Sequence, residues 1–306
     1  MPRFPGLNST EARLALVLVV VCVALSMASD QFLSLANFTN LLSASAVNLI
    51  FAVGLVVVLV AGGIDISFAV AASAVQYVTV YALEAVGGGN WAWGFFFAAL
   101  FGLALGAVNA ALIHYFRIVS IIVTIATFNV YFGLLMFITR GKYIYDLPDW
   151  WTDRIVLFET QTATGAWAEM TLPVAVMFVA ALATWFLIRF TTTGRQLYAF
   201  GDNPEGARRL GINVTAMHFI AFGWMGVMAG IAGLMQVNFV KEVVPNALIG
   251  RELDVLAAVV LGGARLGGGR GSVLGCLLGV LLVAIIQNGL NLLGVSPYAF
   301  KMVVGG

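Results

Sequence analysis

The chain has 306 residues, of which 61% are hydrophobic and only 9% charged, and its mean hydropathy is +1.01. This composition excludes an ordinary soluble domain and is typical of a polytopic helical membrane protein surrounded by lipid. The formal net charge of +1 excludes the strongly basic balance of a nucleic-acid-binding protein, so no nucleic-acid partner is expected. We therefore predict an all-α transmembrane bundle that forms one domain over residues 1–306.

Apolar runs, taken in chain order, predict about ten transmembrane helices. The run at 253–261 is too short to span a membrane alone. The last run begins near Pro297 and stops ten residues later, at Gly306, which is about 15 Å of helix; the tenth span is expected to be incomplete. Residues 140–169 form an amphiphilic segment between the fifth and sixth spans. The long predicted spans are residues 14–28, 44–61, 68–83, 91–116, 121–138, 172–188, 216–237 and 273–287.

Charge asymmetry predicts a cytoplasmic N-terminus. With that orientation, nine basic and three acidic residues lie on the cytoplasmic side, which satisfies the positive-inside rule. The opposite side carries six basic residues, including Arg251, and ten acidic ones. Five tryptophans fall near this outer side, as in an aromatic belt: Trp91, Trp93, Trp150, Trp151 and Trp167. The nine cytoplasmic basic residues are Arg3, Arg13, Arg117, Arg189, Arg195, Arg208, Arg209, Arg265 and Arg270.

The longest polar interruption after residue 170 predicts a short, well-capped helix on a cytoplasmic loop, residues 190–214. Asn203 can cap a helix that begins at the following proline, whose missing N–H is not needed there. Glu205 in the first turn and two arginines in the last turn match the helix dipole. Gly211 is placed to end the helix in a left-handed conformation. A rigid helix of this kind is predicted to be a docking element.

Two glycine pairs interrupt apolar runs, one pair in each half of the chain. Interrupted helices in corresponding positions are typical of transporters and tend to lie near the pathway. After the first pair, Asp65 and Ser67 can both cap the next helix. Asp65 is expected to act as a cap, to belong to a polar pathway, or to form an ion pair, because a charge at this depth is costly. The helix breaks are at Gly62, Gly63, Gly262 and Gly263.

Uncharged polar side chains within or beside the spans allow two interpretations. They can bond neighbouring helices, which is worth roughly 0.6 kcal/mol each, or they can line a wet conduit for a neutral polyhydroxy solute. We take as candidates for a translocation pathway Asn48, Asp65, Ser67, Gln76, Thr124, Asn129 and Asn288. Further polar residues of this kind are Asn109, Thr127, Asn238, Gln287 and Asn291.

Catalytic and cofactor motifs are missing from the sequence. The glycine-rich GGARLGGGRG lacks the lysine and Ser/Thr of a phosphate-binding loop. The sequence has no HExxH or CxxC pattern, and its two histidines, His114 and His218, are expected to be separate interfacial side chains. We therefore predict a protein that is not an enzyme and needs no metal or cofactor. GxxxG steps at 102/106, 226/230 and 275/279 predict close helix crossings.

Four stretches resemble the permease subunits of the ribose/xylose/galactose class of ABC importers, and together they cover most of the chain. The first is residues 45–67 (SAVNLIFAVGLVVVLVAGGIDIS), and the second and third are residues 118–140 and 194–214. The most specific is residues 252–295, which reads ELDVLAAVVLGGARLGGGRGSVLGCLLGVLLVAIIQNGLNLLGV. The resemblance implies a bacterial inner-membrane importer for a simple sugar or sugar-like solute.

The resemblance also implies partners: a second permease copy or paralogue, two cytoplasmic ABC ATPase subunits and a periplasmic or extracellular sugar-binding protein. The family's ATPase-coupling loop corresponds here to Gly194, Gly201, Asn203, Ala207, Gly211 and Ile212, and our candidate coupling residues also include Glu205, Arg208 and Arg209. The alternative function is a self-sufficient secondary carrier or channel. That function would need an intramembrane charge, for which Asp65 is the candidate.

The chain departs from the family's pattern in two places. Where the family reads GIDLSVGS after the second span, this chain reads GIDISFAV, with Phe68, Ala69 and Val70 in place of smaller residues. We expect a narrower pathway near this break, or a different solute. Ser120 stands where the family commonly has a proline, so the fifth helix is expected to begin less abruptly.

Overall fold

The computed structural model describes residues 10–161, 165 and 167–295. The predicted tenth span, from Pro297, and Arg3 lie outside these residues. The elements in chain order are α1 (Thr10–Ala28), α2 (Leu35–Val60), α3 (Phe68–Ala85), α4 (Trp91–Phe116), α5 (Ser120–Thr139), α6 (Asp149–Thr152), β1 (Val156–Gln161), β2 (Trp167–Thr171), α7 (Leu172–Phe190), α8 (Thr192–Asp202), α9 (Pro204–Arg209), α10 (Val214–Val240), α11 (Arg251–Leu261) and α12 (Val273–Leu292).

The described part of the chain contains eight helices that are long and apolar enough to cross a membrane, and these confirm the predicted all-α bundle. They are α1, α2, α3, α4, α5, α7, α10 and α12. Helix α11, with 11 residues, is about 16 Å long and is the predicted short segment. Helix α2 begins at Leu35, well before the predicted residue 44, because Ser34 caps it by accepting a hydrogen bond from the N–H of Asn37.

Helices α2 and α10 form the centre of the bundle. In their most apolar windows, 83% of the α2 residues and 78% of the α10 residues are buried, against 6% for α1 at the periphery. Helix α10 packs closely on α4 because small residues face each other. A Cβ on Gly102 would collide with the carbonyl of Gly226, and a Cβ on Gly226 would collide with that of Gly102. These contacts confirm the predicted close crossing of α4 and α10. The glycines of the 275/279 step likewise confirm a close crossing of α12 and α11.

The amphiphilic segment between α5 and α7 forms α6 and a two-stranded antiparallel hairpin, β1–β2. Trp151 of α6 is fully buried, and its Nε1 donates to the carbonyl of Leu234 on α10 over 3.0 Å. Asn238 Nδ2 donates in return to the carbonyl of Trp151 over 2.7 Å. The prediction that Trp151 belongs to an interfacial belt is wrong, because its ring packs into the bundle and anchors this segment to α10.

Contacts at the bundle's two ends show which connections share a side. At one end, the start of α1 meets the α11–α12 connection, where Ser272 Oγ donates to Glu11 over 3.0 Å. Helices α8 and α9 lie at this same end. At the other end, Ile144 pairs with Val243 and Trp150 donates to the carbonyl of Gly88. We call these the helix-pair end and the hairpin end.

Candidate functional site: a polar cavity and a helix pair

A cavity of about 600 Å³ lies between α2, α11 and α12. Its size is within the range of small-molecule sites, and its wall mixes apolar side chains with amides and two charges. Of the predicted pathway residues, Asn48 and Asn288 line it. The polar lining residues are Asn40, Ser45, Asn48, Arg251, Asp254, Gln287, Asn288 and Asn291.

Arg251 lies deep in the bundle, and its prediction as an outer-side residue is wrong. Its Nη1 is 3.4 Å from Oδ1 of Asn48, which is 13 residues into the 26-residue helix α2. At 1.5 Å per residue, Asn48 is roughly 20 Å from the start of a helix about 39 Å long. The sequence did not reveal this depth because α11 starts partway into the bundle rather than at its edge.

The start of α11 is stabilised by a carboxylate rather than by a side chain at the cap position. Gly250 occupies that position with φ 91°, and its N–H donates to both carboxylate oxygens of Glu252 at 2.9 and 3.1 Å. Glu252 and Asp254 in the first turn also match the positive end of the helix dipole. A charged residue pair, Arg251 and Asp254, is thereby held one turn apart on the cavity wall.

Asn37 and Asn288 bridge α2 and α12 with two reciprocal amide hydrogen bonds. Asn37 Nδ2 donates to Asn288 Oδ1 over 3.0 Å, and Asn288 Nδ2 donates to Asn37 Oδ1 over 2.9 Å. Asn288 therefore lines the cavity and also holds two of its walls together.

Asp65 and Ser67 join a buried hydrogen-bond chain that links α3, α4 and α5. Asp65 Oδ1 accepts from the N–H and the Oγ of Ser67, at 2.8 and 2.7 Å. Asn109 Nδ2 donates to Ser67 Oγ over 2.8 Å, and Thr127 Oγ1 donates to Asn109 Oδ1 over 2.7 Å. Ser67 holds the cap position of α3 without a capping bond, so the prediction that its side chain caps this helix is wrong.

The other predicted pathway residues also lie away from the α2–α11–α12 cavity. Gln76 is buried and donates to the carbonyl of Gly233 on α10 over 3.1 Å. Thr124 is buried and donates to the carbonyl of Ile64 over 3.3 Å. Asn129 is exposed on α5 and donates within its own helix, to Ile125. A pathway role for these three residues, and for Asp65 and Ser67, stays a prediction.

The two departures from the family pattern have structural counterparts. Phe68, Ala69 and Val70 are all buried, and the ring of Phe68 lies 4.9 Å from that of Phe51. These side chains fill the core rather than the cavity wall. Ser120 begins α5, and its Oγ accepts the N–H of Ile64 over 2.9 Å. A serine here therefore satisfies a backbone donor at the break after α2.

The predicted short helix is present as α9, and a second helix, α8, precedes it. The prediction of a single helix in this loop is thus incomplete. Asn203 Oδ1 accepts the N–H of Gly206 over 2.9 Å and caps α9 as predicted, and Gly211 ends it with φ 81°. Thr191 caps α8 by accepting the N–H of Gly194 over 3.0 Å. Glu205 pairs with Arg209 over 2.7 Å, whereas Ala207 is buried.

Three glycine-containing segments meet where α8 touches the bundle. Gly201 lies so close to the end of α2 that an added Cβ would collide with the carbonyl of Val60. Gly268 has φ 83°, and a Cβ there would collide with the carbonyl of Gly201. We call this contact of Gly62, Gly201 and Gly268 the glycine joint. Glycine is required at such points because only backbone fits between them.

A tyrosine of α8 strengthens this contact. Tyr198 Oη donates to the carbonyl of Gly271 over 2.6 Å. Burial raises the pKa of Tyr198, so its hydroxyl keeps the proton that it donates. The glycine break predicted at residues 262–263 lies at the same end of the bundle, and there Gly263 has φ 92° and lies against Thr10.

His114 and His218, predicted to be separate, lie together at the helix-pair end, with their Nδ1 atoms 3.4 Å apart. The ring of His218 also contacts that of Phe200 on α8, with centroids 5.2 Å apart. The sequence prediction missed this contact because the two histidines lie on different helices. Across the described residues, no group of three or more His, Cys, Asp or Glu is placed to hold a metal ion.

Comparison with known proteins identifies the family. Residues 37–306 match the family model described as "Branched-chain amino acid transport system / permease component". The chain belongs to this permease family. Members of the family are transport components rather than enzymes. Together with the eight candidate membrane-spanning helices in the described part of the chain, the family match identifies a multi-pass membrane permease.

The similarity to individual relatives extends over nearly the whole permease. It is 35% identical over 302 residues to the ribose import permease protein RbsC of Escherichia coli K12, covering 96% of this chain and 89% of that protein. It is 30% identical over 301 residues to the autoinducer 2 import system permease protein LsrC of Photorhabdus luminescens, covering 97% of this chain and 87% of that protein. No solved structure matches the chain.

Proposed function

We propose that this chain is the permease subunit of an ABC importer that moves a simple sugar or a similar neutral polar solute into the bacterial cytoplasm. The observation that carries the proposal is the 35% identity to a ribose import permease over 96% of the chain. The amide-rich cavity supports it, because amide groups supply both donors and acceptors for sugar hydroxyls.

In this proposal, partner ATPases supply the energy. The helix pair α8–α9 is the surface on which an ATPase docks, because its helices are short, capped and joined to the bundle through the glycine joint. The helix-pair end then faces the cytoplasm, together with the N-terminus. A second permease copy or paralogue and a periplasmic or extracellular sugar-binding protein complete the importer.

The test is reconstitution of the chain with its cognate ATPase and binding protein in proteoliposomes. We expect uptake of a labelled sugar only when ATP, ATPase and loaded binding protein are all present. The purified chain alone should hydrolyse no ATP, because its sequence carries no phosphate-binding loop.

The alternative of a self-sufficient carrier or channel gains some support from the charges on the cavity wall, which an ion-coupled carrier would need. Sugar uptake by the chain without any ATPase would favour that alternative and overturn the importer proposal.

A further inference from the structure

The cavity wall carries two opposite charges, a half-buried arginine and an exposed aspartate. Arg251 lies level with the middle of α2, through its contact with Asn48. A charged side chain inside a membrane protein is by default a functional-site candidate, since it must face the interior or a wet cavity. Asp254 lies one helical turn further along α11 and lines the same cavity.

Among the described residues, Arg251 and Asp254 attract each other electrostatically, but neither charge is in a direct ion pair. The ion pairs within the described part of the chain are Arg154–Glu169 and Arg209–Glu205, so Arg251 and Asp254 do not form one. The 3.4 Å bond to Asn48 is long and engages one of the five N–H donors of the guanidinium. The third charge nearby, Glu252, is buried and bonds the N–H of Gly250.

We infer that Arg251 and Asp254 form a charge filter that admits neutral polyhydroxy solutes to the cavity and rejects charged ones. The guanidinium donates to hydroxyl oxygens and repels cations. The carboxylate accepts from hydroxyls and repels anions. The amides of the remaining wall contact any polar solute, so discrimination by charge rests on this pair.

This inference rests on the proposed import function and deepens it by naming the residues that select the solute. It predicts reciprocal changes in selectivity. Arg251→Gln leaves a net negative wall and should favour a protonated amino sugar. Asp254→Asn leaves a net positive wall and should favour a sugar acid. If either residue had a purely structural role, its replacement would weaken the binding of the neutral sugar, the amino sugar and the sugar acid alike.

The measurement is equilibrium binding of labelled solutes, at millimolar concentration, to the assembled permease–ATPase complex in lipid nanodiscs. The probes are galactose, galacturonate and galactosamine, or ribose with its aldonate and amino derivative, according to which neutral sugar the wild type imports. We expect the amine-to-neutral ratio of Arg251→Gln and the acid-to-neutral ratio of Asp254→Asn each to rise about tenfold. The interaction of two unit charges in contact, at an effective dielectric constant of about 20, is strong enough for an even larger change in these ratios.

Charge-matched controls come from the hairpin end, where Lys142 and Asp146 are exposed and lie outside the cavity. Lys142→Gln and Asp146→Asn should leave both ratios unchanged. Arg251→Lys keeps the charge but loses the planar fork, so it should keep the rejection of amines while binding the neutral sugar more weakly. If Arg251→Gln fails to assemble, Arg251→Lys and Asp254→Asn still carry the test.

Failure of this inference is distinguishable from failure of the proposed function. A wild-type complex that imports no sugar in the presence of ATP and binding protein would overturn the import function. A wild-type complex that imports a neutral sugar, with both ratios unchanged in the assembled variants or with no solute bound in the cavity, would overturn the charge filter alone.

Discussion

The N–H of Gly269 donates to the carbonyl of Val60 over 2.9 Å, which joins the glycine-rich loop after α11 to the last residue of α2. The same carbonyl lies against Gly201, near the end of α8. We therefore expect a displacement of α8 to move α2 directly, and the middle of α2 carries Asn48 on the cavity wall. Backbone packed on backbone leaves no flexible side chain to absorb the movement.

Gly201→Ala should disrupt this contact. The added Cβ would collide with the Val60 carbonyl and lie 2.7 Å from the Gly269 nitrogen, so backbone must shift. Overpacking of this kind costs about 1–3 kcal/mol. We expect lower thermal stability in detergent and strongly reduced sugar uptake by the reconstituted importer. Gly133→Ala is the control, because nothing lies within 4 Å of its Cβ position on α5. Equal uptake by the two variants would contradict the transmission of movement through this contact.

Gly211→Val should uncouple ATP hydrolysis from uptake. Gly211 ends α9 at φ 81° in open space, so a substituted side chain meets backbone strain rather than a clash. A β-branched residue resists this conformation, whereas Asn tolerates it. Stimulation of the ATPase by loaded binding protein and sugar uptake should both fall in Gly211→Val and remain near wild type in Gly211→Asn. Unchanged stimulation and uptake in Gly211→Val would mean that α9 is not the coupling element.

Arg208 and Arg209 should contribute unequally to ATPase docking. Arg209 already pairs with Glu205 on the surface, with both side chains more than three-quarters exposed. Such a pair is worth about 0–1 kcal/mol, but it occupies the guanidinium. We expect Arg208→Gln to weaken binding of the ATPase, measured by pull-down at low salt, more than Arg209→Gln does. Inverted or failed membrane insertion of the double variant would instead assign both arginines to orientation by charge.

Asp65→Asn should fold nearly normally, and Asp65→Leu should not. The carboxylate accepts two hydrogen bonds from Ser67, and an amide oxygen can accept both. Leucine would leave the buried Ser67 N–H without this acceptor, at a cost of about 1–3 kcal/mol. Thermal unfolding of the purified chain measures the difference. Transport lost in Asp65→Asn, with assembly intact, would point to a pathway role for the carboxylate.

Sequence reasoning located the elements whose determinants are local. Apolar run length is sufficient to place a helix, so α4 begins and ends at the predicted residues 91 and 116. Capping depends on residues three or four positions apart, so Asn203 and Gly211 were also assigned correctly. Span ends marked by polar residues were harder to place, as α2 demonstrates, because polar Asn37 continues the helix by bonding across to Asn288.

The sequence by itself therefore determined a multi-pass helical permease with a capped helix in the loop after α7. The tertiary structure alone decided which polar groups share a cavity and which lie in the core. Asn48 and Arg251 are 203 positions apart, and the depth of Arg251 follows from where α11 starts, which hydropathy does not encode. Likewise, Trp151 is buried and Val60 meets Gly201 because helices distant in sequence pack side by side, and this packing depends on the shapes of both partners at once.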